Sequence, residues 1–160
     1  MSRRIVLFGA TGYTGRLTAH ALAAQGAQPV LAGRNADRLA ELAGRLGLDS
    51  TAVADVDRPE TVRDLVEPGD VLISTVGPFL RWGAPALEAA VEAGAVYLDS
   101  TGEPPFVREV FETYGPRAER TGATLLTAFG YDYVPGNLAG ALALRRAGAI
   151  ATGPGDAATG

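Results

Sequence analysis

The residues whose types and spacing suggest a binding function lie near the amino end of the chain. Glycines stand at every third position, Gly9, Gly12 and Gly15, directly after the apolar run at 5–8. A strand that ends in such residues can turn tightly and bring its backbone N–H groups close to a pyrophosphate, and the helix that follows points its positive end at the same anion. The pattern predicts a dinucleotide-binding turn. Glycine makes up 21 of 160 residues, however, so a bare triplet could also arise by chance.

Three polar side chains lie inside this stretch. Thr11 and Thr14 could donate their hydroxyl groups to the phosphates, and Tyr13 could shape the turn. The alternative is that each is a residue of a surface loop, and the sequence favours neither interpretation.

The choice between NAD and NADP is normally made about 20 residues beyond the glycines, at the end of the second strand. The chain carries Arg34 and Asn35 there, with Arg38 one turn further on. A guanidinium can pair with a 2′-phosphate through two hydrogen bonds, and the carboxylate expected for NAD is missing. The sequence therefore favours NADP over NAD. The alternative is that Arg34 is a solvated side chain at a helix start.

The end of the third apolar run could form part of the same site. Asp55 lies where a carboxylate can accept a hydrogen bond from an adenine amino group, and Val56 could supply an apolar wall beside it. Asp55 or Asp57 could equally cap the helix that follows.

The end of the fourth apolar run could form the opposite end of the site. Thr75, Val76 and Gly77 follow this run, where the nicotinamide half of a dinucleotide would pass, and Gly77 would allow a close approach. The alternative is a plain strand-ending turn.

Six short apolar runs predict the strands that must position these residues. They lie at 4–8, 29–32, 51–54, 70–75, 95–98 and 123–128, with helical patterns between them. Several are continuously apolar, as expected when helices cover both faces of a parallel sheet. The predicted fold is α/β, a doubly wound parallel sheet of the Rossmann type with strand order 3-2-1-4-5-6.

The predicted helix boundaries come from capping residues. Asn35 is the expected N-cap and Gly47 the end of the second helix, while Gly26 and Gly94 follow two others. Asp57 and Glu60, three residues apart, resemble a capping box. Between 104 and 122 we expect two short helices, because Gly115 and Pro116 interrupt an apolar stripe.

Composition excludes several classes of function. The net charge is −4 and the fourteen basic residues are dispersed arginines, which argues against a nucleic-acid partner. The chain contains no cysteine and no lysine, so a thiolate site, a Schiff base and a Tyr-x-x-x-Lys pair are excluded. No metal-ligand pattern or acid–base pair is recognisable, and the catalytic residues stay unassigned. No apolar run could span a bilayer, and we expect a cytoplasmic protein.

With these residues collected, the chain resembles the NADP-binding domain of the saccharopine dehydrogenase-like family, which includes saccharopine reductases and trans-acting enoyl reductase-like proteins. The matching stretches are Gly9 to Gly15, Ala32 to Arg34, Thr75 to Phe79, Tyr97 to Glu103 and Gly130 to Pro135. The resemblance implies that the glycine loop holds the pyrophosphate, that Arg34 contacts the 2′-phosphate, and that the loop from Thr75 lies near the nicotinamide.

The resemblance also predicts the domain organisation. Residues 1–147 form the nucleotide-binding domain, and 148–160 are expected to be a flexible linker or a truncated tail. The family's second, substrate-binding domain has no counterpart in this chain, so catalysis by the chain alone is left open.

Two functions from different classes follow. The first is the cofactor-binding portion of an NADP-dependent oxidoreductase that exchanges hydride with a small-molecule substrate. The second is a non-catalytic NADP-sensing module of the NmrA-like kind. A third interpretation, an α/β domain with a fortuitous glycine loop, predicts no dinucleotide binding. The oligomeric state is left open, and a homo-oligomer is compatible with the sequence.

Overall fold

The structure, a computed structural model, describes residues 3–146. The chain divides into two compact units, one ending at Phe129 and one beginning at Gly130. The first unit contains a six-stranded parallel sheet. Its strands are β1 (Ile5–Phe8), β2 (Val30–Gly33), β3 (Thr51–Val53), β4 (Val71–Ser74), β5 (Val96–Asp99) and β6 (Thr124–Leu126).

Helices follow the strands in the first unit. They are α1 (Tyr13–Ala24), α2 (Ala36–Leu46), α3 (Pro59–Arg63), α4 (Phe79–Trp82), α5 (Ala84–Ala93), α6 (Pro104–Glu109) and α7 (Gly115–Thr121), with a π-helical turn (Val110–Tyr114) between the last two.

The strand order is β3-β2-β1-β4-β5-β6, which confirms the predicted topology. Phe8 at the end of β1 pairs with Ala32 on one side and with Ser74 on the other. The chain therefore changes direction across the sheet between β1 and β4. Loops at such a switch point diverge and leave a crevice outside the carboxyl ends of the strands, which is where ligands bind in sheets of this kind.

Two apolar cores lie on the two faces of the sheet. The α1 and α2 side packs around Leu7, Leu31 and Leu39, all fully buried. The opposite side is larger and surrounds Phe8 and Tyr97 with side chains from α3, α5, α6 and α7. Burial on both faces explains why the strand sequences are continuously apolar.

Several of the predicted helix ends are confirmed. The Asn35 side chain accepts a 2.9 Å hydrogen bond from the backbone N–H of Arg38 and caps α2. Gly47 ends α2 and Gly94 ends α5, each in the left-handed conformation with φ of 65°. The Asn35 cap fixes the start of α2 directly beyond the end of β2.

The predicted capping box at Asp57 and Glu60 is wrong. Helix α3 begins at Pro59, and no side chain caps it. The carboxylate of Asp55 accepts from the N–H of Asp57 at 3.1 Å and forms a tight turn before the helix. Because Pro59 has no N–H and a fixed φ, it sets the first helical position by itself.

The segment between 104 and 121 contains the two predicted short helices, α6 and α7, but no break separates them. The π-helical turn Val110–Tyr114 joins them, and Gly115 itself keeps helical angles. The extra residue of a π turn accommodates the missing N–H of Pro116 without ending the helix.

The second unit contains α8 (Val134–Arg146). Its first turn is closed by a 3.0 Å hydrogen bond from the N–H of Val134 to the carbonyl of Gly130. The predicted boundary after residue 147 and the predicted tail at 148–160 lie outside the described residues. Across 3–146, no helix is both long enough and apolar enough to cross a membrane.

Candidate nucleotide-binding site

A cleft of about 530 Å³ opens at the carboxyl ends of the strands, beside the switch point between β1 and β4. Residues from the loops after β1, β2, β3 and β4 line it together. They are Phe8, Gly9, Thr11, Gly12, Gly33, Arg34, Asn35, Arg38, Val56, Asp57, Thr75, Val76, Gly77 and Trp82.

The glycine loop forms the centre of the cleft because it packs too closely for side chains. The N–H groups of Gly9 and Ala10 both donate to the carbonyl of Ala32, at 2.9 and 3.1 Å. Gly9 has φ of +86°, and a Cβ there would lie 2.7 Å from Oγ1 of Thr75. The loop after β1 therefore touches the end of β2 and the loop after β4, and only glycine permits that approach.

The third glycine sets the start of α1. A Cβ on Gly15 would overlap the carbonyl oxygen of Gly9 and lie 2.8 Å from Cα of Ala10. Gly12 occupies the N-cap position, and no side chain accepts from the first N–H groups of α1. These donors stand beside the cleft without a side-chain partner, which is the arrangement that binds a phosphate anion.

Three of the predicted residues of the glycine loop do not line the cleft. Tyr13 is 78% exposed, Thr14 uses its carbonyl to accept from Oγ1 of Thr18, and Gly15 is buried behind the loop. Thr11 does line it, next to Gly12.

The predicted cofactor-discriminating residues lie together at one end of the cleft. Arg34, Asn35 and Arg38 all line it, next to Gly33. The Asn35 side chain is occupied by the N–H of Arg38, which leaves the two guanidinium groups to act on a ligand. Their positive charge favours an anionic group at this end.

The loop after β3 presents a different carboxylate from the predicted one. Val56 lines the cleft as expected, but Asp57 accompanies it, and Asp55 lies outside the lining. The N–H of Asp55 donates to Oγ1 of Thr61 at 3.0 Å, and its carboxylate holds the turn described above. The sequence pattern does not separate the two aspartates, since only the turn decides which one faces the cleft.

The loop after β4 forms the other end of the cleft. The backbone N–H of Thr75 and its hydroxyl both donate to the carbonyl of Phe8, at 2.9 and 3.0 Å. Val76 and Gly77 follow in the lining, together with Trp82. The guanidinium carbon of Arg81 lies 4.4 Å from the centre of the Trp82 ring.

Sequence reasoning missed Phe8, Gly33, Asp57 and Trp82 as lining residues. Phe8 and Gly33 are the last residues of β1 and β2, and that strand-end position is a signal that could have found them. Trp82 is the only tryptophan of the chain. Its position in the sequence does not predict that it lies on the side of α4 that faces the cleft.

A buried polar cluster lies behind this end of the cleft. Asp99 is 2% exposed and accepts from the N–H groups of Thr101 and Ala128, both at 2.9 Å. The hydroxyl of Thr101 in turn accepts from the N–H of Glu103 at 3.1 Å. The Asp99 carboxylate and the Thr101 hydroxyl therefore organise the loops after β5 and β6. Neither Asp99 nor Glu103 lines the cleft.

Two buried hydroxyl groups of the same region, on Ser74 and Tyr97, have no hydrogen-bond partner among the described residues. Burial, reinforced by the nearby Asp99 charge, raises the pKa of Tyr97 well above its ordinary value. The hydroxyl group of Tyr97 therefore stays protonated at neutral pH.

Taken together, the lining fits a phosphorylated dinucleotide. It offers a close-packed glycine loop beside open N–H donors, two arginines at one end, and an apolar wall of Val56 on one side. The opposite end presents backbone and aromatic surface against which a planar ring can pack.

Comparison with known proteins agrees with this geometry. The family described as the saccharopine dehydrogenase NADP binding domain matches residues 5–126. A trans-acting enoyl reductase of Mycobacterium tuberculosis (strain ATCC 25618 / H37Rv) is 39% identical over 84% of this chain and 34% of its own length. Another of that name, from Mycobacterium ulcerans, is 38% identical over 93% of this chain and 37% of its own. The chain thus spans about a third of the curated relatives it matches.

Solved structures share the fold. Apo saccharopine dehydrogenase (L-Glu forming) from Saccharomyces cerevisiae aligns with a TM-score of 0.75 and 19% identity, over 91% of this chain and 31% of that one. The triphenylmethane reductase of Citrobacter sp., complexed with NADP(H), aligns with a TM-score of 0.56 and 19% identity, over 76% and 48%. The chain belongs to the saccharopine dehydrogenase NADP-binding domain family, and its cofactor is NADP.

Proposed function

We propose that this chain is the cofactor-holding portion of an NADP-dependent oxidoreductase that acts on a small-molecule substrate. One observation carries the proposal: the arginines after β2 and the Thr75 loop after β4 line opposite ends of a single cleft, with the glycine loop between them. A dinucleotide with an anionic 2′-phosphate at its adenosine end and a nicotinamide ring at the other end matches this distribution of charge.

Each part of the lining has a role in this proposal. The glycine loop and the N-terminus of α1 hold the pyrophosphate, with Thr11 as a hydroxyl donor. Arg34 and Arg38 hold the 2′-phosphate. Val56 covers one face of the adenine and Asp57 lies beside it. The side chains of Tyr13 and Thr14 do not line the cleft. Both residues lie in the first turn of α1, so their role in this proposal is to donate backbone N–H groups to the pyrophosphate.

The other end of the cleft orients the reacting ring. Thr75 is fixed through two hydrogen bonds to Phe8, so the backbone that continues through Val76 and Gly77 is held in place. When bound, the nicotinamide supplies or accepts the hydride, while the protein supplies orientation and electrostatics. At this end of the cleft, the role we propose for the chain is to position the ring.

The first test is a calorimetric titration of the chain with NADPH and NADH, repeated on Arg34→Ala. We expect NADPH to bind more tightly, and the substitution to reduce the difference. Trp82 gives an independent signal, because the only tryptophan of the chain lies in the cleft and its emission should be quenched by NADPH. Equal failure of both nucleotides to bind would contradict the proposal.

The second test is turnover. The full-length protein is supplied with NADPH and a panel of imines, ketones and enoyl thioesters, and oxidation of the cofactor is followed by absorbance. Consumption of NADPH with at least one class of substrate is expected. Tight binding without consumption would favour the sensing module over the enzyme.

A further inference from the structure

An arginine lies behind the aromatic wall at the end of the cleft that the loop after β4 forms. The guanidinium carbon of Arg81 lies 4.4 Å from the centre of the Trp82 ring, within the range of a cation–π contact. Trp82 lines the cleft, whereas Arg81 does not. The indole ring therefore stands between the positive charge of Arg81 and the space that the cleft offers to a ligand.

The short helix α4 holds both residues in place. Its first residue, Phe79, is 7% exposed and packs against Phe106 of α6, with the ring centres 5.8 Å apart. A Cβ on Gly83, the residue after Trp82, would lie 2.6 Å from the Phe106 ring. The backbone that carries Arg81 and Trp82 is thus packed closely against α6 and has little room to move.

No ion pair neutralises the charge of Arg81. Among residues 3–146, no carboxylate lies within salt-bridge distance of its guanidinium group. The charged residues that line the cleft, Arg34, Arg38 and Asp57, belong to the loops after β2 and β3. Arg81 therefore acts at the end of the cleft that these charges do not occupy.

One negative charge opposes Arg81. The carboxylate of Glu103 contacts α4 from the loop after β5, and its two oxygens accept the backbone N–H groups of Phe79 and Leu80, at 2.7 and 3.1 Å. These donors offset part of the negative charge. Arg81 is therefore the less compensated of the two charges beside Trp82.

A charge at this place acts on the part of the cofactor that changes charge in the reaction. The nicotinamide ring is a cation in NADP⁺ and uncharged in NADPH, while the phosphate groups are the same in both. We propose that Arg81, acting through the Trp82 ring, biases the site towards NADPH over NADP⁺, and so determines specificity for the oxidation state of the cofactor. The inference rests on the proposed function, since it assumes that the nicotinamide occupies this end of the cleft. A site with this bias takes up NADPH, releases NADP⁺ and favours reduction of the substrate.

The size of the effect follows from the distance between the charges. A ring that packs on the opposite face of the indole, at about 3.5–4 Å, would lie about 8 Å from the guanidinium. Two positive charges at that separation, in surroundings close to water in polarity, change an equilibrium constant by about twofold to fivefold. Because Arg81 is exposed, salt should screen the repulsion.

The experiment is a calorimetric titration of the chain and its variants with NADPH and NADP⁺, read as the dissociation constant of NADP⁺ divided by that of NADPH. Arg81→Gln should lower this ratio by about twofold to fivefold, and Arg81→Glu should lower it further. Arg81→Lys should retain most of it, because the charge is kept. In about 1 M salt, where charges are screened beyond about 3 Å, the ratio of the unaltered chain should approach that of Arg81→Gln.

Two controls isolate the ring and the position of the charge. The 2′-phosphate of ADP-ribose has the phosphate groups of the cofactor but no nicotinamide, so Arg81→Gln should change its affinity by no more than it changes that of NADPH. Arg120→Gln is the matched control variant, because it removes an exposed arginine from the last turn of α7. That helix leads into the amino end of β6, at the end of the sheet opposite the cleft, so the ratio should stay unchanged.

The outcomes separate the inference from the proposed function. If Arg81→Gln changes the affinities of NADPH and NADP⁺ by the same factor, or raises the ratio, Arg81 does not act on the nicotinamide and the inference is overturned. If Arg120→Gln lowers the ratio as much as Arg81→Gln does, net charge and not the contact with Trp82 is the cause, which also overturns it. If the unaltered chain binds neither NADPH nor NADP⁺, the proposed function fails first and the inference falls with it.

Discussion

The carboxylate of Glu103 accepts a 2.7 Å hydrogen bond from the backbone N–H of Phe79. Its second oxygen accepts from the N–H of Leu80 at 3.1 Å. Glu103 stands in the loop after β5, whereas Phe79 begins α4, directly after the loop that lines the cleft. One side chain therefore fixes the loop of β4 from the neighbouring strand, although it does not reach the cleft itself.

Glu103→Ala should loosen that loop. Two N–H groups at the start of α4 would lose their acceptor, and we expect the free energy of unfolding to fall by about 1–2 kcal/mol. The dissociation constants of NADPH and NADH should rise by the same factor, because the loop lies far from the arginines. Calorimetry and urea unfolding measure the two effects. Glu112→Ala, at an exposed glutamate of the π-helical turn, is the control. Unchanged affinities in Glu103→Ala would show that the loop holds its shape without this contact.

Gly15→Ala should separate close packing from helix propensity. The added Cβ would overlap the carbonyl of Gly9, which is backbone and cannot move aside as a side chain can. We expect loss of nucleotide binding and a fall of about 2 kcal/mol or more in unfolding free energy. Thermal melts and NADPH titration check both.

Gly44→Ala is the matched control for this substitution. Gly44 lies in α2, and an added Cβ there meets nothing within 4 Å. The same chemical change should stabilise the chain by about 0.5–1 kcal/mol, since alanine favours a helix. A loss of stability in Gly44→Ala similar to that in Gly15→Ala would contradict the packing argument.

The topology and the glycine loop could be predicted because their causes are local. The spacing of Gly9, Gly12 and Gly15 after an apolar run specifies strand, turn and helix, and Asn35 with Gly47 marks the two ends of α2. Continuous apolar strands then require helices on both faces, which leaves few topologies. The observed strand order follows from these rules.

The missed features depend on contacts between distant parts of the chain. Asp57 and Asp55 are both plausible ligands by sequence. The Asp55 carboxylate is held in the turn by the N–H of Asp57, and the backbone N–H of Asp55 donates to Oγ1 of Thr61. Glu103 contacts an N–H group 24 residues earlier in the chain. No periodicity in one sequence encodes such a distance, so the Glu103 contact required the structure.

An ion pair between the exposed Arg4 and the buried Asp70, at the amino ends of β1 and β4, predicts acid sensitivity. Arg4 donates to both carboxylate oxygens of Asp70, with the shortest contact at 2.6 Å, and the backbone N–H of Glu67 donates to the same group at 2.9 Å. Burial raises the pKa of Asp70, but the hydrogen bonds from Arg4 and Glu67 outweigh it, and the net pKa lies below the ordinary value.

Arg4→Ala should therefore cost about 1–2 kcal/mol at neutral pH, because it leaves a buried carboxylate with only backbone partners. A lowered folded pKa contributes stability above the unfolded pKa of about 3.9, and this contribution disappears as the pH falls through the folded value. The difference between Arg4→Ala and the unaltered chain should accordingly shrink as the pH falls below the unfolded pKa of about 3.9. Urea unfolding across this range measures it. A difference that stays constant down to pH 2 would contradict the assignment.

At alkaline pH, the stability of the fold depends mainly on the ionisation of tyrosine. The chain has five tyrosines, no cysteine and no lysine, so few other groups titrate near pH 10. Burial, with the nearby charge of Glu88, raises the pKa of Tyr114 to about 12, and burial raises that of Tyr97 as well. Because the unfolded chain releases these protons first, stability should be complete below about pH 10 and decline above it.

Tyr97→Phe tests directly whether a buried tyrosine causes the loss of stability above pH 10. Its hydroxyl is buried without a partner among the described residues, so removing it should leave stability at neutral pH unchanged or raise it by up to about 1 kcal/mol. The decline above pH 10 should become shallower, because one raised pKa has been removed. Tyr114→Phe is the contrast, since it also loses a 3.3 Å hydrogen bond to Glu88 and should cost stability at neutral pH. If Tyr97→Phe instead destabilises the chain at neutral pH, the hydroxyl has a partner, and a bound water that bridges it to Ser74 would be the first to look for.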